Sequence, residues 1–479
     1  MLFNSFAFAV FLPVVFIIYW LLPHKFRWIL ILVSSYYFYM SWNIKCVFLI
    51  LFTTIVSYAG ARFIEKENSI KKKKRILAGM AVLCLGVLFF FKYFNFASKS
   101  VTDILSLFTI QLNPITLNLL LPAGISFYTF QTLSYVIDVY KGDVPAEHHF
   151  GMYAAFISFF PQLVAGPIER TSHLLPQIKA PHTFNYIQAS YGLKLMAWGY
   201  FKKLVIADNL AQYVSIVYDS PKQYHGFALV LASVFFTFQI YCDFSGYSDI
   251  AGGTAKLLGI NLKINFKSPY FSQSIKEFWS RWHISLSAWF RDYIYIPLGG
   301  NRVSRIRHSF NLLITFLASG LWHGANWTFI AWGGVHGAVQ VIEHILLPEK
   351  YQKSTGIIWF LRVSAVFLFC SFAWIFFVSD SMDDALYVIR HLFDNIASPV
   401  TYLHQGFQDI GLDKGRMLIE LTMILLLAVY DFLSLNIDVI SELNKKNTLI
   451  RWTVYICFSL LIVFFSQKGA AAEFVYFQF

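Results

Sequence analysis

The sequence predicts an all-α protein built into a lipid bilayer, with roughly 11–14 transmembrane or re-entrant helices. Three observations carry that expectation. Hydrophobic residues make up 57% of the 479 and charged residues only 13%, about half the charged share of a soluble domain. Apolar runs of spanning or near-spanning length recur along the whole chain, and basic residues gather in the short breaks between them. A soluble domain lacks the polar surface to cover a core that holds 51 Phe, whereas hydrocarbon removes the need for such a cover.

The first apolar run, 5–22, is long enough to cross about 30 Å of hydrocarbon as a helix. No basic residue precedes it and no small-residue cleavage site follows it, so it reads as a retained span rather than a secretory signal. Further runs follow at 28–41, 46–63, 77–94, 150–165, 190–207, 227–242, 310–331, 357–378, 417–433 and 453–466. Several are short for a straight crossing, which leaves interfacial placements open. His24, Lys25 and Arg27 follow the first run, and Lys66 with Lys71 to Arg75 follows the third. Lys445, Lys446 and Arg451 precede the last. The positive-inside rule puts these loops in the cytoplasm and both termini outside, including the tail 466–479.

The same bias accounts for the net charge of +12. No basic patch sits on a soluble module, so nucleic acid is not an expected partner. Cys46, Cys84, Cys242, Cys370 and Cys457 stand singly in apolar stretches, at neither metal-ligand nor redox spacing. No linker or repeat divides the chain, so one polytopic domain, 1–479, is expected.

Two stretches carry candidate chemistry. Lys276 to Tyr293 reads as one amphipathic helix. Glu277, Arg281, Arg291 and Asp292 fall within an arc of about 100°, opposite an arc of about 120° holding Phe278, Trp279, Trp282, Leu286, Trp289, Phe290 and Tyr293. That pattern suits an interfacial or groove-lining helix. His283 falls at the edge of the apolar arc, where it either hydrogen-bonds a neighbour or serves a site. Between Asp249 and Arg307 there are nine Lys or Arg, among them Arg281, Arg291 and Arg302. Positive-inside bias explains most of this; the functional reading is a cytoplasmic mouth for the phosphates of a coenzyme A thioester.

The second stretch is the apolar run from Phe310, which leads into Trp322-His323-Gly324-Ala325-Asn326-Trp327. A histidine at membrane depth marks a pathway or a site unless it is satisfied by a partner. Asn326, three residues on, orients His323 if the segment is helical, and a His–Asn bond between helices is the structural alternative. His336 lies about 220° further round and is expected to be structural. Neutral imidazole suits acyl transfer, because it takes the proton of an attacking hydroxyl near neutral pH. There is no Gly-x-Ser-x-Gly elbow, HExxH or P-loop.

These segments resemble the membrane-bound O-acyltransferases, in the bacterial branch that O-acetylates alginate and peptidoglycan. The resemblance is carried by MLFNS at the start, LPAGISFYTFQTLSYVIDVY (121–140), FFPQLVAGPIER (159–170), WGYFKKLVIADNL (198–210) and YCDFSGYSDIAGGTAKLLGI (241–260). It continues through FWSRWHISLSAWFRDYIYIPLGGNR (278–302) and LWHGANWTFIAWGGVHG (321–337), within a core motif region of about 121–347. It implies a ring of helices around a thinned centre, with funnels from both faces meeting near a histidine. By motif position it makes His323 the catalytic histidine, flanked by Trp322, and His283 the supporting one. FVYFQF (474–479) resembles the C-terminal motif of this branch, which makes Tyr476 an acyl relay; an aromatic interface anchor is the alternative.

The activity implied is transfer of an acetyl group from cytoplasmic acetyl-CoA, a substrate rather than a resident cofactor, across the bacterial inner membrane. The implied partners are an extracytoplasmic SGNH-type transferase, a polysaccharide acceptor and membrane lipids. No metal is expected. D-alanyl or lipid acyl transfer by the same fold, and a transporter without chemistry, are the rival readings.

Overall fold

The computed structural model describes residues 1–164, 166–346, 354–467 and 474–475, so Tyr476 lies outside the described residues. Among the described residues every regular element is helical. Five helical runs are long and apolar enough to cross a membrane: Ile44–Lys66, Ile70–Ser106, Phe227–Leu257, Gly356–Val378 and Thr448–Phe465. Thr448–Phe465 buries none of its most apolar window, whereas Phe227–Leu257 buries 72% of its own. The former therefore offers its side chains to lipid, and the latter is packed inside protein.

The chain divides into two compact units, residues 1–193 with 251–263 and residues 194–250 with 264–479. In the first, the helix Val47–Lys66 packs on Ile70–Leu88 and Ile125–Lys141, and His24–Met40 packs on Phe150–Ser158. Ile125–Lys141 is absent from the apolar runs read in the sequence, yet 13 of its 17 residues are buried. Its Ser and Thr residues mask its hydropathy. Thr132 Oγ1 and Ser134 Oγ donate to carbonyls of their own helix (2.9 and 2.8 Å), and Gln131 Nε2 donates to the Phe156 carbonyl at 3.3 Å. Side chains satisfied in this way are buried at little cost. The expected run 150–165 is helical only to Ser158, after which Pro161 interrupts the pattern.

The second unit holds the segments singled out for chemistry. The expected run 310–331 is two helices, Arg305–His323 and Trp327–Leu346, joined by three residues. They cross at glycine. A Cβ on Gly320 would meet the Phe329 carbonyl oxygen at 2.2 Å, and one on Gly333 would meet that of Phe316 at 2.3 Å. The two backbones thus touch, as small residues permit in apolar surroundings.

The helix expected over Lys276–Tyr293 is also broken. Ile275–Arg281 and Ile284–Phe290 are separate, Trp282 is extended, and His283 adopts a left-handed conformation (φ 43°, ψ 53°). The irregular strand of chain before them takes over the freed groups. Lys267 N–H donates to the Arg281 carbonyl and Ile284 N–H to the Asn265 carbonyl, both at 2.9 Å. Ser285 Oγ donates to Asn265 Oδ1 at 2.6 Å. Periodicity alone missed the break because the pairing partners lie 14–20 residues upstream in the chain.

Candidate active site

His283 and His323 are brought together in the second unit, with ring centroids 6.4 Å apart, and both are buried. The left-handed turn at His283 ends one short helix and starts the next, so its ring is aimed by backbone rather than by a helical face. Non-glycine residues in that region are uncommon, cost energy, and cluster at functional sites. His323 is the last residue of its helix; Gly324 is extended and ends it.

Aromatic rings wall the pair. Phe244 meets His283 edge-on at 4.6 Å, Trp332 and Phe377 meet His323 at 5.0 and 5.4 Å, and Trp322 contacts both imidazoles at 6.2 and 5.0 Å. Such walls shield the pair from water. His336 lies on the far side of the same Trp332 ring, at 5.1 Å, where its Nδ1 accepts from Trp279 Nε1 at 3.3 Å.

Asn326 does not orient His323. Because the helix ends at His323, Asn326 is not on a following turn, and its side chain instead donates to the Asp380 carbonyl (2.7 Å) and accepts from Thr328 N–H (3.2 Å) at the start of the next helix. It is a fastener of the hairpin. Trp322 stands where it was expected, against His323.

A cavity of about 670 Å³ opens in this unit. Lys276, Arg291, Arg305, His308 and His344 line its charged part, and Trp279, Phe316 and Ser319 its inner wall. Ser319 is one helical turn before His323. Of the three arginines expected at the mouth, only Arg291 lines the cavity. Arg281 turns back to Glu277 at 2.7 Å, and Arg302 is exposed between the lining residues Asn301 and Val303. Glu343 fixes the floor by accepting from the backbone of Ile275 (2.8 Å) and Lys276 (3.2 Å). His308 donates or accepts with both Tyr295 (2.8 Å) and His344 (3.1 Å), and burial, then His344, then Lys276 lower its pKa.

A buried ionic group was not singled out in the sequence. Lys203 pairs with Asp208 at 2.8 Å and with Asp243 at 2.7 Å, and Lys202 pairs with Asp249 at 2.6 Å. The signal was present: two lysines and an aspartate inside apolar text, which mark a site unless paired.

The model of the membrane-bound O-acyltransferase family matches residues 143–379, which include both histidines. A probable alginate O-acetylase AlgI of Azotobacter vinelandii is 40% identical over 80% of this chain and 76% of its own length. A probable alginate O-acetylase AlgI of Pseudomonas putida is 35% identical over the whole of both chains. The chain is a membrane-bound O-acyltransferase. A peptidoglycan O-acetyltransferase of Helicobacter pylori is also similar, 35% identical over 81% of this chain and 79% of that one. Membership of the O-acyltransferase family agrees with a membrane-embedded chain whose described regular elements are all helical.

Proposed function

We propose that the chain takes an acetyl group from cytoplasmic acetyl-CoA and passes it through the bacterial inner membrane for O-acetylation of an extracytoplasmic polysaccharide. The observation that carries this reading is the pair of buried imidazoles in the same unit as a cavity lined in part by Lys276, Arg291 and Arg305. Lys276, Arg291 and Arg305 suit the phosphates of coenzyme A. The apolar inner wall suits the pantetheine arm, and the cavity volume falls in the usual range for small-molecule sites.

In the proposed step a hydroxyl oxygen attacks the thioester carbonyl while His323 takes its proton. The C–S bond breaks, the thiolate leaves, and it recovers a proton to give free coenzyme A. His283, beside His323, supports its orientation and polarity. The acceptor hydroxyl is that of Tyr476, and the resulting tyrosyl ester is handed outside to an SGNH-type transferase and thence to polymer. Support for an acetyl group and a polymer acceptor comes from the similarity to a probable alginate O-acetylase and a peptidoglycan O-acetyltransferase. The cytoplasmic position of the mouth rests on the positive-inside rule.

The test is intact-protein mass spectrometry of the purified chain with acetyl-CoA, alongside His323→Ala and Tyr476→Phe. An acetyl-sized adduct, lost in both variants, is the expected result. Adduct formation undiminished in His323→Ala would sink the catalytic assignment. A D-alanyl carrier protein that loads the chain where acetyl-CoA does not would replace the donor.

A further inference from the structure

Phe474 and Val475 are docked on the buried ionic group. Val475 N–H donates to Asp243 Oδ2 at 2.8 Å, while Asp243 Oδ1 accepts from Lys203 Nζ at 2.7 Å. The Phe474 ring covers the same ammonium, 4.3 Å from its centroid, and meets Tyr247 edge-on at 4.9 Å. Phe474 is 1% exposed, and the Lys203 and Asp243 side chains are 2% exposed.

The local chain explains how these charges come to lie there. The segment Phe201–Ala207 is a π-helical turn, which carries both Lys202 and Lys203 to buried positions. Gly199 and Gly246 let the two helices touch: a Cβ on either would meet the other's carbonyl oxygen at 2.6 and 2.8 Å. Lys203 therefore reaches Asp243 directly. One ammonium serves two carboxyl groups, Asp208 and Asp243, which leaves an acceptor oxygen on Asp243 for a further donor. Buried carboxyl oxygens are costly unless satisfied, and the tail amide satisfies this one.

Asp243 is also next in sequence to Phe244, whose ring lies against His283. The residue before Tyr476 is thus tethered to the helical turn that walls the histidine pair. We propose that Asp243, held by Lys203, is a seat for the C-terminal tail and a positioning residue for acyl transfer to residue 476. This rests on the reading of Tyr476 as the acceptor. A tethered acceptor reacts at a high effective concentration; released, it must find the histidine pair by diffusion of the tail.

Two variants attack the seat from opposite sides. Asp243→Ala removes the acceptor. Val475→Pro removes the donor and leaves the buried ion pairs untouched, so it remains informative if the first variant does not fold. Asp243→Asn keeps one acceptor oxygen in place of two, so it can hold the tail amide or Lys203 but not both, and is the intermediate case. Hydrogen–deuterium exchange of the 466–479 peptide is measured in the full chain, in lipid nanodiscs. Exchange is expected to quicken about 10- to 100-fold in the first two variants, the worth of one hydrogen bond to a charged group, and to quicken less in Asp243→Asn. The rate of acetyl adduct formation at saturating acetyl-CoA is expected to fall in the same order, with KM for acetyl-CoA unchanged. Unaltered exchange in both disruptive variants would overturn the seat. Faster exchange with an unaltered acetylation rate would overturn the positioning role. Tyr476→Phe separates this from the relay itself: it should keep the tail protected yet form no adduct. An adduct persisting there refutes the acceptor assignment and with it the positioning role, while the exchange data still decide whether the seat exists.

Discussion

Removing the His323 imidazole takes the proposed base out of a wall of Trp322, Trp332 and Phe377 and puts nothing in its place. His323→Ala is therefore expected to slow acetyl transfer by about 10²–10⁴-fold, the usual worth of a general base. A detergent-stable, monodisperse variant with that loss would locate the defect in chemistry. His283 calls for a different substitution because two properties are joined there, an imidazole and a left-handed backbone. Asparagine tolerates that conformation and β-branched residues do not. His283→Asn is expected to fold at normal yield and transfer poorly, whereas His283→Val is expected to lose yield as well. Equal yields for the two would show that the turn carries no strain worth counting. At this scale the sequence singled out His323, Trp322 and His283, which the structure brings together. It misjudged Asn326, whose contacts depended on whether the helix continued past Gly324.

The hairpin Arg305–His323 with Trp327–Leu346 is the element that places His323. Its closeness depends on Gly320 and Gly333, each pressed against the opposite backbone. Gly320→Val would overpack the crossing and is expected to cost roughly 1–3 kcal/mol. A lowered apparent Tm by intrinsic fluorescence, together with slower transfer, is the expected outcome; an unchanged Tm would mean the helices separate freely. Helix existence was readable from apolar runs such as 5–22 and 357–378, which the structure returns as Phe6–Leu21 and Gly356–Val378. Breaks were not readable. The interruption at His283 is held by Asn265 and Lys267, and a window of hydropathy contains no information about such distant partners. Ile125–Lys141 escaped for the converse reason, since its hydroxyls look polar in composition and are satisfied within the fold.

For the whole molecule, two features bear on the proposed transfer: a cavity lined by Lys276, Arg291 and Arg305, and the seat of Phe474 and Val475 on the Lys203–Asp243 pair. Neutralising Lys276, Arg291 and Arg305 together is expected to raise KM for acetyl-CoA about tenfold or more and to leave kcat largely intact, because these groups lie at the mouth and not at the histidines. The wild-type KM should rise with ionic strength and the triple variant's should barely respond, since screening acts on charges near water. A triple variant with lost kcat and unchanged KM would instead place these residues in the chemical step. The similarity to alginate and peptidoglycan O-acetylating proteins leaves the donor assay as the direct way to separate acetyl from D-alanyl transfer.

By itself the sequence determined the solvent, the helical class and the family, and it singled out two histidines as candidates. These are properties of composition, of runs of apolar residues and of contiguous motif text, all of which are local. Tertiary structure alone decided that the two histidines meet, that Arg291 and not Arg281 or Arg302 lines the cavity, and that Asp243 divides its two oxygens between Lys203 and the tail. Each of those depends on groups far apart in the chain, up to 232 residues for Asp243 and Val475. A buried charge fixes which partner must be found, but only packing fixes where that partner stands.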